Sequence, residues 1–225
     1  MKLQLALDMI DMDHALEISE MTAPFVDIIE VGTPLLKYGG IRVIEGIRSR
    51  FPDAQILADT KTMDTGAYEA DFCFNAGADL ITVLGVADLS TIYSAVQCAH
   101  KHGKQVVVDM LNVQHLKKVA LACEKIGVDY IGVHTGIDQQ RRGGSPLEEL
   151  QELSGTFSLK IAVAGGINLS TIKSIAAENP AIVVVGGAIT SAEDPAFMAK
   201  TLRERMVPHV REHLREAAEN PFVAA

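Results

Sequence analysis

The sequence has little of what would place it in several large functional classes. Its 225 residues include only 3 cysteines, Cys73, Cys98 and Cys123, with no Cys-x-x-Cys pair among them. That argues against a disulfide framework or a paired-thiolate zinc centre as the organising device. No stretch approaches the roughly 18 to 20 unbroken apolar residues of a membrane-crossing helix. Basic charge is scarce too: 20 Lys and Arg stand against 29 Asp and Glu, a formal net charge of -9. Nucleic acid and anionic membranes recruit basic faces, so neither is an expected partner. A small phosphorylated substrate stays compatible, because backbone amides bind one phosphate without a positive field. The opening Met1-Lys2-Leu3-Gln4-Leu5-Ala6-Leu7-Asp8 reaches an acid too soon for a signal peptide. It reads as a first strand, and a cytoplasmic location is expected.

What is present is a repeat. Short β-branched apolar runs recur at Leu3 to Asp8, Val26 to Val31, Ala54 to Asp59 and Asp79 to Val83. They continue at Gln105 to Asp109, Val128 to Val133, Leu159 to Val163 and Ala181 to Val185. Stretches with helical spacing lie between them, such as Thr91-Ile92 with Ala95-Val96 and Ala99. Two units share wording: Gly77-Ala78-Asp79 and Gly127-Val128-Asp129 each end a helix on Gly and open a strand on Asp. The cysteines fall 25 residues apart, which suits equivalent positions on three successive helices where thiols act as small apolar groups.

Alternating strands and helices imply parallel strands with right-handed crossovers. Eight units predict an α/β fold, a (β/α)8 TIM barrel in a single domain over residues 1–206. An open doubly wound sheet would carry a glycine-rich turn after its first strand, where this chain has Asp8-Met9-Ile10-Asp11. Residues 207–225 read as a charged, roughly helical tail of the same domain, packed outside the barrel or at a subunit contact.

Barrel enzymes build their sites at the C-terminal ends of the strands. Those ends read Asp8, Glu30, Asp59 with Lys61, Asp109 and His134. In a regular strand Asp59 and Lys61 project side by side, with Asp64 beyond them in the loop. Two carboxylates about 5 Å apart repel by roughly 3 kcal/mol at an effective dielectric near 20. A rim of several acids therefore needs cations: Lys61 is one, and Mg²⁺ on Glu30 and Asp59 is the natural second. The alternative is a rim held by lysine and backbone amides alone.

Strands seven and eight end in Gly165-Gly166 and Gly186-Gly187, each expected to lead into a helix whose free N–H groups bind phosphate. His134 opens a polar, glycine-rich loop that could close as a lid, and an acid or base role is expected of it. For Arg141 and Arg142 in that loop a solvated position is expected, with contact to the phosphate as the alternative. His14, His100, His102, His115, His209 and His213 read as surface residues, and Asp11 and Asp13 as helix-start residues.

With these residues in view, Asp59-x-Lys61-x-x-Asp64 resembles the signature of the orotidine 5′-phosphate decarboxylase superfamily. Glu30-Val31-Gly32-Thr33-Pro34-Leu35 and Ala58-Asp59-Thr60-Lys61-Thr62-Met63-Asp64 are similar to its branch of 3-hexulose-6-phosphate synthases and 3-keto-L-gulonate-6-phosphate decarboxylases. Asp109-Met110-Leu111-Asn112, His134-Thr135-Gly136-Ile137-Asp138 and Val185-Gly186-Gly187-Ala188-Ile189 resemble the synthases more closely. The decarboxylases have arginines where this chain reads Thr135-Gly136 and Gly187-Ala188.

The resemblance covers the barrel to about Met206. It implies a homodimer with shared sites, in which Asp64 reaches the neighbouring site, Mg²⁺ on Glu30 and Asp59, and catalysis through an enediolate. It implies an aldol-type lyase joining formaldehyde to ribulose 5-phosphate, with Lys61 stabilising charge and His134, Lys61 or Asp64 moving protons. Asp8 would hold Lys61 or a substrate hydroxyl, and Asp109 would be a lesser member of the substrate shell. The decarboxylase reaction and a non-catalytic sugar-phosphate-binding barrel are the alternatives.

Overall fold

The computed structural model describes residues 1–206, so the expected tail at 207–225 lies outside the described residues. The chain order is β1 (Lys2–Leu7), α1 (Met12–Thr22), β2 (Ile28–Val31), α2 (Thr33–Gly39), α3 (Arg42–Arg50), β3 (Gln55–Thr62), α4 (Gly66–Asn75), β4 (Leu80–Leu84), α5 (Leu89–Lys101) and β5 (Gln105–Asp109). It continues with α6 (Leu116–Ile126), β6 (Tyr130–His134), α7 (Ile137–Gln140), α8 (Leu147–Leu153), β7 (Lys160–Ala164), α9 (Ile172–Ala177), β8 (Ile182–Val185), α10 (Gly187–Thr190) and α11 (Pro195–Arg205). All eight strands pair in parallel with their sequence neighbours, and β1 pairs with β8 to close the barrel. The expected (β/α)8 fold is the observed one.

The strands read as unbroken apolar runs because both of their faces are covered. Alternate residues, such as Leu3, Leu5, Ile29, Val31, Ile56, Val106 and Val108, join the large core between barrel and helices. The opposite parity points inward. Ile28, Leu57, Leu80, Val107, Tyr130, Ala162 and Ile182 form a separate apolar plug. Two residues further along the same inward face come Glu30, Asp59, Thr82 and Asp109. The strand period of two therefore places a polar layer directly above the plug, toward the C-terminal mouth.

Three acids lock the opposite end. Asp27 accepts the Leu3 N–H at 2.8 Å, Asp79 the Ile56 N–H at 2.9 Å and Asp129 the Val106 N–H at 2.9 Å. Each also takes a basic side chain from a helix, Arg203 on Asp27, Arg48 on Asp79 and His100 on Asp129, and Asp79 takes Lys104 from the loop before β5 as well. This is the physical content of the shared Gly-x-Asp wording: the Asp before an even strand ties it to its odd predecessor. The recess lined by Arg48, Asp53, Asp79 and Lys104 lies at this end. Arg48 and Lys104 are engaged on Asp79 and nearby carbonyls, so we read it as structural.

Cys73, Cys98 and Cys123 are free thiols on α4, α5 and α6, as their spacing predicts. Burial pushes Cys73 up to about 12 and Cys123 up to about 11, so both stay neutral packing groups. Asp11 caps α1 by accepting from the Asp13 and His14 N–H groups. No helix among the described residues is long and apolar enough to cross a membrane.

Candidate active site

The site forms around an irregularity in β3. Ala58 pairs with Ile81, but the next pairing is Thr62 with Val83, so four steps along β3 match two along β4. The surplus is absorbed at Lys61, whose φ of 47° lies in the left-handed region. Thr82 stabilises the bulge, its hydroxyl accepting the Lys61 N–H at 2.8 Å and its carbonyl accepting from Thr60 Oγ1 at 2.5 Å. Asp59 and Lys61 do meet, as expected, but through a bulge rather than through regular strand alternation.

Lys61 Nζ donates to both oxygens of Asp59, at 3.0 and 2.7 Å, and to Asp109 Oδ2 at 3.0 Å. Burial works to lower its pKa, yet the charges of Asp59 and Asp109 outweigh burial and hold the ammonium well above the usual lysine range. Asp59 also accepts from Thr33 Oγ1 at 2.5 Å and Thr82 Oγ1 at 2.7 Å. Asp109 accepts from His134 Nδ1 at 3.0 and 3.1 Å and from the Leu111 N–H at 3.0 Å. Burial opposes ionisation of Asp109, but the His134 contact, with Lys61 and the Leu111 amide, brings it down to about 2. An ionised carboxylate only accepts, so in the neutral imidazole the His134 proton sits on Nδ1 and Nε2 keeps its lone pair.

Glu30 has a different environment. It is 7% exposed, and its described hydrogen-bond partner is Gln4 Nε2, 2.6 Å from Oε2. Burial, then the charges of Asp59 and Asp8, hold its carboxyl well above the ordinary range, against the pull of Gln4 and Lys61. Asp8 stands just past β1. A β-carbon on Gly32 would collide with the Leu7 carbonyl and the Asp8 carboxylate, so glycine is what lets the β2–α2 turn pass. The residue as a whole is exposed, but the mouth desolvates its carboxyl, and that, with the charge of Asp59, raises its pKa against Lys61 and His134.

The geometry bears on several expectations. Of the two roles expected for Asp8, holding Lys61 or a substrate hydroxyl, the first is not seen: the described partners of Nζ are Asp59 and Asp109. Asp109, expected at the margin, is 5% exposed and joins Lys61 to His134. Asp64, expected to reach a neighbouring site, stays out of the cluster of its own chain: it is exposed and accepts the Thr65 N–H at 2.7 Å. It lines a shallow groove with Tyr68, Ser90 and Ser94.

The paired glycines also differ from each other. Gly186-Gly187 runs straight into α10, but five residues separate Gly166 from α9, and there Asn168 and Thr171 consume the Asn168 and Ser170 N–H groups. Gly165 and Gly166 both have positive φ, 110° and 66°, and a β-carbon on Gly165 would strike the Thr135 carbonyl. The loop after His134 is pinned rather than open, by Gln140 Nε2 on the Thr135 carbonyl and Gln139 Oε1 on the Gly136 N–H. Arg141 pairs with Asp138 in solvent, as a solvated loop predicts.

Gln4, Thr33 and Thr82 were missed as site residues. The signal was there for two of them: a polar residue at an inward position in Leu3-Gln4-Leu5 and in Ile81-Thr82-Val83.

The donors fit Mg²⁺. That ion takes one or two carboxylates and keeps several waters. Glu30 and Asp59 would offer two hard oxygen ligands, and Glu30 has no cation in hydrogen-bond contact among the described residues. The charge of Asp59 raises both Asp8 and Glu30, and a single ammonium faces the three carboxyls, so the mouth has room for further positive charge.

A closed parallel barrel with charged, pKa-shifted groups at its C-terminal mouth defines a barrel enzyme. The chain belongs to the orotidine 5'-phosphate decarboxylase / HUMPS family, which it matches over residues 1–202. It is 44% identical over 212 residues to 3-hexulose-6-phosphate synthase 2 of Staphylococcus saprophyticus, covering 94% of this chain and 100% of that protein. It is similar to the solved 3-hexulose-6-phosphate synthase from Salmonella typhimurium, with a TM-score of 0.90, 44% identity, and 92% and 99% of the two chains covered. A 3-keto-L-gulonate-6-phosphate decarboxylase from Vibrio cholerae superposes with a TM-score of 0.82 at 27% identity, over 91% and 96% of the chains. The protein is thus an enzyme of the family's 3-hexulose-6-phosphate synthase branch.

Proposed function

We propose that the protein joins formaldehyde to D-ribulose 5-phosphate, reversibly, giving 3-hexulose 6-phosphate through a 1,2-enediolate. The observation that carries the chemistry is the Asp59–Lys61–Asp109–His134 chain of contacts. It holds an ammonium and an imidazole with a free Nε2 at one mouth, which is what carbanion chemistry next to a carbonyl requires.

In this reading His134 Nε2 takes a C1 proton from ribulose 5-phosphate, while Asp109 on Nδ1 holds the ring's orientation. Lys61 remains protonated, so it stabilises the negative oxygen that develops and does not serve as the base. The enediolate carbon attacks formaldehyde, forming the new C–C bond. The formaldehyde oxygen then becomes an alkoxide and takes a proton from His134. Mg²⁺ on Glu30 and Asp59, when bound, supplies Lewis-acid stabilisation of the enediolate oxygens. Asp8 faces a substrate hydroxyl.

The phosphate is assigned to the backbone at Gly165, Gly166, Gly186 and Gly187. In support, Gly187 has open space where a side chain would begin, and the first N–H groups of α10 have no acceptor within the helix. A homodimer is supported by exposed apolar residues around α4 and α5: Met63, Tyr68, Phe72, Val86, Leu89 and Tyr93. Asp64 borders that face and would complete the partner's site. Three free cysteines suit a reducing cytoplasm.

The decarboxylase reading keeps the enediolate but forms it by loss of carbon dioxide. It is disfavoured by Thr135-Gly136 and Gly187-Ala188 where that branch carries arginines. One experiment separates them: the protein with Mg²⁺ and ribulose 5-phosphate in D₂O, followed by formaldehyde. Deuterium at C1 and a hexulose phosphate are expected. Neither appearing would sink the reading, as would carbon dioxide from 3-keto-L-gulonate 6-phosphate in place of aldol product. Deuterium without hexulose would keep the enediolate and overturn formaldehyde as electrophile.

A further inference from the structure

Away from the mouth, α4 and α5 bring a carboxylate, a thiol and an imidazole to one place. Asp71 on α4, Cys98 on α5 and His102 at the end of α5 each point one ligand-type atom at the others, all within 4.8 Å. None takes part in the chemistry above. Cys98 and His102 are four residues apart and share one helix face, and Asp71 approaches from the neighbouring helix. Asp71 Oδ1 lies 2.9 Å from His102 Nε2, while its other oxygen accepts from Asn75 Nδ2 at 3.0 Å. Asn75 thus orients the carboxylate as outer-sphere partners do in metal sites, and the His102 ring packs against Phe74.

We propose that Asp71, Cys98 and His102 form a transition-metal site, of the zinc(II) class, that ties α4 to α5. A thiolate, an imidazole and a carboxylate match the ligand preferences of Zn²⁺ and exclude Mg²⁺, which avoids sulfur. Bonds of about 2.0 to 2.3 Å put tetrahedral ligand atoms roughly 3.3 to 3.7 Å apart. Asp71 and His102, 2.9 Å apart, need to part slightly. Asp71 is exposed and the other two are half-buried, so one coordination position faces water. The charges balance: thiolate and carboxylate neutralise the dication. Without metal, burial and the Asp71 charge keep Cys98 a thiol against the pull of Lys101, and Asp71 pairs with His102 instead. Binding therefore releases the thiol proton.

The test is a Co²⁺ titration of the untagged, metal-free protein. Near-ultraviolet thiolate-to-cobalt absorption and tetrahedral visible bands are expected at one equivalent, displaced by one equivalent of Zn²⁺. They should vanish in Cys98→Ser, fall at least tenfold in affinity in His102→Ala, and persist in the Glu30→Gln, Asp59→Asn double variant. Turnover and circular dichroism of Cys98→Ser should match the parent. No charge-transfer band at excess Co²⁺ overturns the site. So does a band that survives Cys98→Ser, which would move binding to Cys73 or Cys123, or one lost with Glu30 and Asp59.

Discussion

Lys61 and Asp59 are two residues apart in one strand, yet the Lys61 ammonium bridges both oxygens of the Asp59 carboxylate. It does so from a backbone with φ of 47°, a conformation that costs a non-glycine residue about 1–3 kcal/mol. The Thr82 hydroxyl and carbonyl hold the strand in that shape. The same turn lets Nζ reach Asp109, so the strain serves to join two acids from different strands.

Lys61→Ala should cut turnover by about a thousandfold or more, since it removes the one ammonium aimed at the developing charge. Circular dichroism should still report a folded barrel. Residual activity above a tenth of the parent, in an assay of formaldehyde consumption, would remove Lys61 from its role.

Asp109→Asn keeps the shape but offers His134 a donor as readily as an acceptor, which frees the ring to adopt the wrong tautomer. We expect kcat to fall by about 10²–10⁴ with KM little changed. C1 deuterium exchange should fall in parallel. Exchange at the parental rate would show that His134 is not the base.

Gln4→Met removes the amide that fixes Glu30 Oε2, at a position that is 3% exposed and whose Oε1 has no described partner. Calorimetry should show Mg²⁺ affinity reduced about 10-fold or more, the usual cost of losing an outer-sphere contact. Unchanged affinity would make Gln4 packing alone.

Stability of the metal-free protein should depend on pH from both sides. Asp109 is lowered in the fold to about 2, chiefly by His134 acting against burial. Its contribution, about 2 kcal/mol, is present above the ordinary aspartate range and is lost as pH falls through about 2. Glu30 is raised, so its contribution is full below the ordinary glutamate range and is lost as pH rises toward its folded value. Urea unfolding should therefore show stability declining toward neutral pH, and Glu30→Gln should flatten that decline. Parallel curves for variant and parent would refute the assignment.

Asp64 can be tested by mixing. Lys61→Ala and Asp64→Asn proteins, each inactive alone, should regain activity when unfolded and refolded together, because a hybrid dimer carries one intact site. Failure to regain any activity, with hybrid dimers demonstrated, would return Asp64 to its own chain.

The eight apolar runs, the Gly-x-Asp repeats and the strand-end acids determined the barrel and which residues face its mouth. These rest on local periodicity and on burial of both strand faces, which a sequence records directly. What the sequence alone could not decide is where each charge ends its reach. The bulge at Lys61 depends on Thr82 in the next strand, and the central place of Asp109 depends on Lys61 and His134 arriving from either side. Gln4 matters only because the pairing of β1 with β2 brings its amide to Glu30, and the meeting of Asp71 with Cys98 and His102 depends on how two helices pack. Partners from different strands and helices are fixed by tertiary packing, because distance along the chain says nothing of distance across a barrel.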